Sequence, residues 1–264
     1  MHRRIILAAA LAVAALAVPA AAQGATLERF GGMPRTVLLT GAPAETNLVS
    51  VEGSRSVVIS DLNAPIEVRR APFCMPIDPR SVRCAGIKRI ALDLNDGPDV
   101  ASIATSREVW ISGGAGDDRY VARGTDRPSR VDFSGGFGTD VANYGFASQG
   151  VRVGVDGFAG DGRPGDDDRI GRTVERVFGS PYADVLSGSH RAQQLYGFDG
   201  DDEISGGPGA DLLSGGRGND RIDARDGELD EIDCGGQLMD AVTADASEAS
   251  ILGCADVLVT PPAA

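Results

Sequence analysis

From Gly179 onward the chain repeats itself every nine residues, and this period constrains the fold more than any other property of the sequence. The units read GSPYADVLS, GSHRAQQLY, GFDGDDEIS, GGPGADLLS and GGRGNDRID, followed by ARDGELDEID with one residue added. The eighth place carries Leu186, Leu195, Ile204, Leu213 and Ile222, then Ile232 after the insertion. The sixth carries Asp184, Gln193, Asp202, Asp211 and Asp220, then Asp230. An acid and an apolar residue two positions apart share a face only in extended chain, so each unit reads as a turn followed by a short strand. Two units then make one circuit, and units i and i+2 stack in parallel.

The pattern GGxGxDxUx, with U apolar, is complete at Gly206–Ser214 and Gly215–Asp223. Glycine permits positive φ and close backbone approach, so the carbonyls of a tight turn can point inward together. The aspartate adds a hard anionic oxygen beside them, and carboxylate with carbonyl oxygen is the ligand set that Ca²⁺ prefers. Two further copies stand upstream, GGAGDDRYV from Gly113 and GGFGTDVAN from Gly135, with a weaker trace, LNDGPDVAS, from Leu94. Candidate metal ligands are Asp202, Asp211 and Asp220 first, then Asp184, Asp118 and Asp140, then Asp230. Gly200, Gly207, Gly209, Gly216 and Gly218 shape the turns. Gln193 replaces the aspartate of its unit, which predicts a weak or vacant site there, and Phe198 replaces a glycine, which puts the geometry of its turn in question.

These residues resemble the RTX, or haemolysin-type, calcium-binding repeats. The resemblance implies an all-β fold, a right-handed parallel β-roll or β-helix solenoid, with Ca²⁺ ions along both rows of turns and the U residues inside. Beyond the repeats the chain is similar to secreted calcium-binding repeat proteins of actinobacteria. They share a degenerate β-rich N-terminal half, a connector like VDGFAGDGRPGDDDRIG and a cysteine pair closing the last coil, here within DCGG…ADASEASILGC.

The ends of the chain differ in kind from its middle. Met1–Arg4 is basic, Ile5–Val18 is apolar, and an A-x-A site precedes Gln23, which reads as a secretory signal over residues 1–22. Its removal takes two of the 25 Lys and Arg and none of the 38 Asp and Glu, so the remainder is more acidic than the −13 of the whole. An acidic exterior repels phosphate backbones and anionic lipid, which argues against nucleic-acid partners and membrane insertion and for cations. Residues 23–177 read as the degenerate β-rich region, with strands at TVLLT, NLVSV, SVVIS and IEVR. Residues 178–256 read as the roll with a disulfide cap, and 257–264 as a tail; Gln23–Arg35 and Thr260–Ala264 look frayed. Asp166, Asp167 and Asp168 read as an exposed acidic loop.

Cys74, Cys84, Cys234 and Cys254 allow three pairings in an oxidising exterior, and proximity favours Cys74 with Cys84 and Cys234 with Cys254. Zinc is the poorer alternative, because there is no CxxC and His190 is the one histidine beyond the signal. The same scarcity of histidine, with no HExxH and no GxSxG, argues against a hydrolase of the Ser-His-Asp, Cys-His or zinc type. The expectation is therefore a secreted, extracellular calcium-binding protein without catalysis, whose folding is coupled to calcium. A cell-surface structural or adhesive protein with an unknown partner is the alternative, ahead of a secreted hydrolase with a repeat tail.

Overall fold

The computed structural model describes residues 24–260, apart from 126–127, 237–238 and 247–249. The secretory-signal expectation for residues 1–22 lies outside the described residues, as do residues 261–264. All regular elements among the described residues are strands, arranged in sheets of 8, 12 and 6 strands. The twelve-stranded sheet runs the length of the molecule. As the chain winds, it alternates between this sheet and a second one, which is the eight-stranded sheet up to Ile170 and the six-stranded sheet from Arg152 onward.

The nine-residue period dictates the C-terminal coils. In the twelve-stranded sheet Val177, Leu195, Leu213, Ile232 and Ile251 stand in register on successive parallel strands. In the six-stranded sheet Leu186, Ile204, Ile222, Val242 and Val257 do the same. Units i and i+2 therefore stack, as the spacing predicts. The in-register residues from Val177 to Ile232 and from Leu186 to Val242 are buried, Leu195, Leu213 and Ile232 fully, whereas Val257 on the edge strand is exposed.

The upstream copies belong to the same winding. The strands Val100–Ala104, Arg119–Arg123, Val141–Phe146, Arg176–Phe178 and Gln194–Asp199 are consecutive parallel neighbours. Arg176–Phe178 straddles the expected boundary at 177 and pairs on both sides, so the change at that point is one of regularity within a continuous sheet. The core is broader here: Tyr120, Phe133 and Tyr144 are buried together, with Tyr120 5.8 Å from both other rings.

The connector VDGFAGDGRPGDDDRIG joins the two partner sheets. Ala159–Asp161 pairs antiparallel with Asp168–Ile170 in the eight-stranded sheet, while Gly162 bridges Arg152 at the start of the six-stranded one. The acidic loop expected here is not exposed as a whole. Asp168 is 1% exposed and accepts the Val131 N–H and the hydroxyls of Tyr120 and Tyr144. Asp166 accepts the Ser129 N–H and pairs with Arg163, and only Asp167 of the three lies in solvent. A bend that reverses strand direction strands backbone donors, and these carboxylates satisfy them.

Antiparallel strands cap the N-terminal end. Leu48–Glu52, Ser56–Asp61, Ser81–Ala85 and Cys74–Asp78 extend the twelve-stranded sheet, and Cys74 and Cys84 sit opposite each other and form a disulfide. The second disulfide joins Cys234 to Cys254 across the last coils. Both pairings are those that proximity favours. The strands at TVLLT, NLVSV, SVVIS and IEVR are present within a residue or two of expectation. The frayed N-terminus is corrected: Ala25–Arg29 pairs with Thr36–Thr40 and Ile66–Arg69, held by the fully buried Leu27. The tail is corrected too, because Asp256–Thr260 pairs in parallel with Ala241–Asp245.

Candidate metal centre

Each sixth-place aspartate immediately precedes a strand, where its backbone N–H has no partner within its own coil. The structure satisfies that donor from the following coil. On one row of turns the N–H of Asp99 donates to Asp118 Oδ1, that of Asp118 to Asp140 Oδ1 and that of Asp140 to Glu175 Oε2, each at 2.9 Å. The row continues past Gln193, whose N–H donates to Asp211 Oδ1 at 2.7 Å, and the Asp211 N–H donates to Asp230 Oδ1 at 2.8 Å. On the other row the N–H of Asp184 donates to Asp202, that of Asp202 to Asp220 and that of Asp220 to Asp240, at 2.8 to 3.0 Å. The result is two ladders of buried carboxylates, one per edge of the roll.

One oxygen of each carboxylate is occupied by this bond. The other, Oδ2 of Asp99, Asp118, Asp140, Asp202, Asp211 and Asp220, is buried without a hydrogen-bond partner. It lies over the first glycine of its own turn: a Cβ on Gly113, Gly135, Gly197 or Gly215 would collide with Oδ2 of Asp118, Asp140, Asp202 or Asp220. Above Gly197 the Gly215 carbonyl oxygen meets the same spot, and above Gly113 the Gly135 carbonyl does. A carboxylate oxygen and a carbonyl oxygen of the next coil thus converge in a space that only glycine leaves open. The five turn-shaping glycines, Gly200, Gly207, Gly209, Gly216 and Gly218, all have φ between +77° and +139°.

Burial without a compensating donor disfavours the ionised form. Desolvation pushes the carboxyls of Asp99, Asp118, Asp211 and Asp220 up to about 6, and those of Asp140 and Asp202 up to about 7. Neighbouring carboxylates add to the rise, Asp184 and Asp220 acting on Asp202. Two unit charges one coil apart, about 5 Å, repel by roughly 3 kcal/mol at an effective dielectric constant of about 20. A divalent cation removes both penalties, and the donor set is hard oxygen throughout. The residues present therefore fit Ca²⁺.

The sequence candidates separate in this geometry. Asp202, Asp211, Asp220, Asp118 and Asp140 share the same environment. Asp184 differs, because Ser180 replaces a glycine and donates its N–H to Oδ2 and its hydroxyl to Oδ1, both at 2.6 Å. Asp230 is buried at the end of its row. Gln193 keeps the ladder's shape, with Oε1 accepting the Ser189 N–H at 2.8 Å, but brings no charge. Phe198 keeps the turn by adopting φ +79° itself, packed against Phe178 and Tyr196.

Three ladder members lie beyond the seven candidate aspartates, although the weak trace LNDGPDVAS already holds Asp99 in the aspartate place. Asp99 lacks the glycine pair before it, and Glu175 follows a turn with a single glycine, Gly171. Asp240 was within reach: GGQLMDAVT from Gly235 keeps the first, second, sixth and eighth places and lacks only the fourth-place glycine. A fourth acid, Asp226, lies in the inserted turn beside Asp211 and Asp230.

A parallel roll with glycine-floored carboxylate ladders defines a class of calcium-binding repeat protein. Comparison with known families agrees: residues 104–124 and 196–228 match the RTX calcium-binding nonapeptide repeat, in four copies. The chain carries haemolysin-type calcium-binding repeats over those segments. No curated protein matches the sequence.

Proposed function

We propose that this is an exported protein without catalysis of its own, whose roll folds on binding extracellular Ca²⁺ between successive turns. The buried, donorless Oδ2 atoms of Asp118, Asp140, Asp202, Asp211 and Asp220 carry this reading. In a calcium-poor cell interior the ladders are a source of repulsion, and where calcium is abundant they become ligands. With a dissociation constant near 10⁻⁴ M and about 1 mM free calcium, each site adds about 1.4 kcal/mol of stability, and several sites make the transition steep. Export is supported by the basic, apolar and A-x-A succession of residues 1–22. The test is a calcium titration of the chelated protein followed by circular dichroism and calorimetry, with Asp202→Asn and Asp220→Asn alongside. Wild type gains strand signal with bound calcium and each variant needs more calcium to do so; equal folding in excess chelator with no bound calcium would overturn the reading.

A second reading, adhesion to a cell-surface partner, is favoured by the exposed rings of Phe146 and Phe198, which with Phe178 line an open cavity of about 390 Å³. Retention on cell-wall material in calcium and release by chelator would support it, and loss of that retention in Phe198→Ser would place it on this face.

A further inference from the structure

The turn between Ile222 and Ile232 breaks the repeat. It reads Ala224-Arg225-Asp226-Gly227-Glu228-Leu229-Asp230, one residue longer than its neighbours, and it lacks the glycine pair. Asp226 stands just before Gly227, in the place that Pro208 and Arg217 hold in the two complete repeats. The extra residue has a consequence for the side chains. One carboxylate oxygen each from Asp211, Asp226 and Asp230 lies within 4.8 Å of the others. Oxygens coordinated to Ca²⁺ sit about 2.3–2.6 Å from it, so two on opposite sides of one ion are about 4.6–5.2 Å apart. All three can therefore reach a single ion.

Proximity of acids alone would be a solvated patch, but Asp211 is not at the surface. It is 3% exposed, its Oδ1 is occupied by the Gln193 N–H, and its Oδ2 is buried with no hydrogen-bond partner. Asp226 likewise buries an Oδ2 without a partner, while its Oδ1 accepts the Glu228 N–H at 2.7 Å. The turn is held from the next coil by Asp245, whose Oδ2 accepts the Gly227 N–H at 2.5 Å. Asp199, the residue in the matching place of another turn, instead faces solvent with a side-chain exposure of 58%, 3.7 Å from Arg217. Inward placement is thus particular to Asp226.

We infer that Asp211, Asp226 and Asp230 form a three-carboxylate divalent-cation site outside the repeat consensus, and that it is the first site on the roll to fill. The inference rests on the calcium reading above. A regular site takes one ladder carboxylate from each of two stacked turns, whereas this one adds a third from within the inserted turn. Affinity in oxygen-ligand sites rises with the number of charged ligands, so this ion binds before those between the regular turns. It lies next to the neutral Gln193, and so anchors the row where the ladder's charge is interrupted.

The test is isothermal titration of the full chain with calcium, comparing wild type, Asp226→Asn, Asp226→Glu and Asp202→Asn. Asparagine keeps the Oδ1 that accepts the Glu228 N–H, so the turn retains its shape. The expected result is a tight class of one ion in wild type, weakened tenfold or more in Asp226→Asn, largely retained in Asp226→Glu, and untouched in Asp202→Asn, which loses a weaker ion. An unchanged tight class in Asp226→Asn overturns the inference while leaving calcium binding by the repeats intact. Loss of the tight class in Asp202→Asn overturns it as well. Absence of any calcium binding by wild type removes it together with the reading on which it rests.

Discussion

The two halves of the roll carry the same carboxylate ladder on different interiors. Between Ile90 and Val177 the coils enclose Tyr120, Phe133 and Tyr144 with branched aliphatics around them, and antiparallel strands bound by a disulfide seal the end. Between Leu186 and Val242 each strand brings one leucine, isoleucine or valine, and the turns are the most acidic part of the chain. From Tyr196 to Asp240 there are 13 acidic residues against three arginines. Burial of apolar surface stabilises in proportion to area, so the thin interior has less to set against ladder repulsion. On the calcium reading proposed above, the metal would add to stability in the first half and be required in the second.

The largest effect expected from that difference is spatial. Hydrogen exchange read by mass spectrometry, with and without chelator, should show protection collapsing over the strands from Val185–Ser187 to Ala241–Asp245. It should persist over Arg89–Asp93, Val100–Ala104 and Glu108–Ala115. Uniform loss along the whole chain would abolish the distinction, since the roll would then melt as one unit.

Acidity offers a sharper and smaller test. The ladder carboxyls sit near 6 to 7 in the fold, above the 3.8 expected of an unfolded chain, so the folded form holds more protons between those values. Stability of the calcium-free fold is therefore lost as pH rises through this window, and thermal melting in chelator should climb by several degrees from pH 8 to pH 5. In saturating calcium the trend reverses, because protons compete for the same oxygens. A chelated protein that melts alike at both pH values would mean that the ladders carry no unrelieved charge.

The smallest effect concerns Phe198. A bulky residue with positive φ costs on the order of 1 kcal/mol, which Phe198→Gly would recover, while giving up ring contacts of similar worth with Phe178 and Tyr196. A net change within about 1 kcal/mol in chemical denaturation is expected. A loss well beyond that would show that the aromatic face supports the thin half of the roll.

How much of this was legible in the sequence follows the same division. In the regular coils the nine-residue period fixes strand, register and interior together, because a slip of one residue would turn every U side chain outward. The upstream copies were recognised one by one, yet coils there vary in length, so nothing in their spacing revealed that they lie in the same row as Asp211. The N-terminal strand Ala25–Arg29 is hard to see in the sequence because it offers two apolar residues, Ala25 and Leu27, too short an alternation to read, and one of its two partners, Ile66–Arg69, lies far along the chain. Asp161 and Asp168 look like loop acids by composition, and only the reversal of strand direction at the connector shows why they are inside. The sequence assigns the turn glycines positive φ and close backbone approach; the structure adds that the first glycine of the regular turns leaves room for a carboxylate oxygen.

Every rung of the ladder points the same way: a carboxylate reaches back to the amide of the coil before it. A chain emerging from its N-terminus accordingly leaves each circuit unfinished until the next has been made, and the Cys234–Cys254 disulfide ties together coils that are among the last to arrive. The fold has an arrow, and it completes from the end that arrives last.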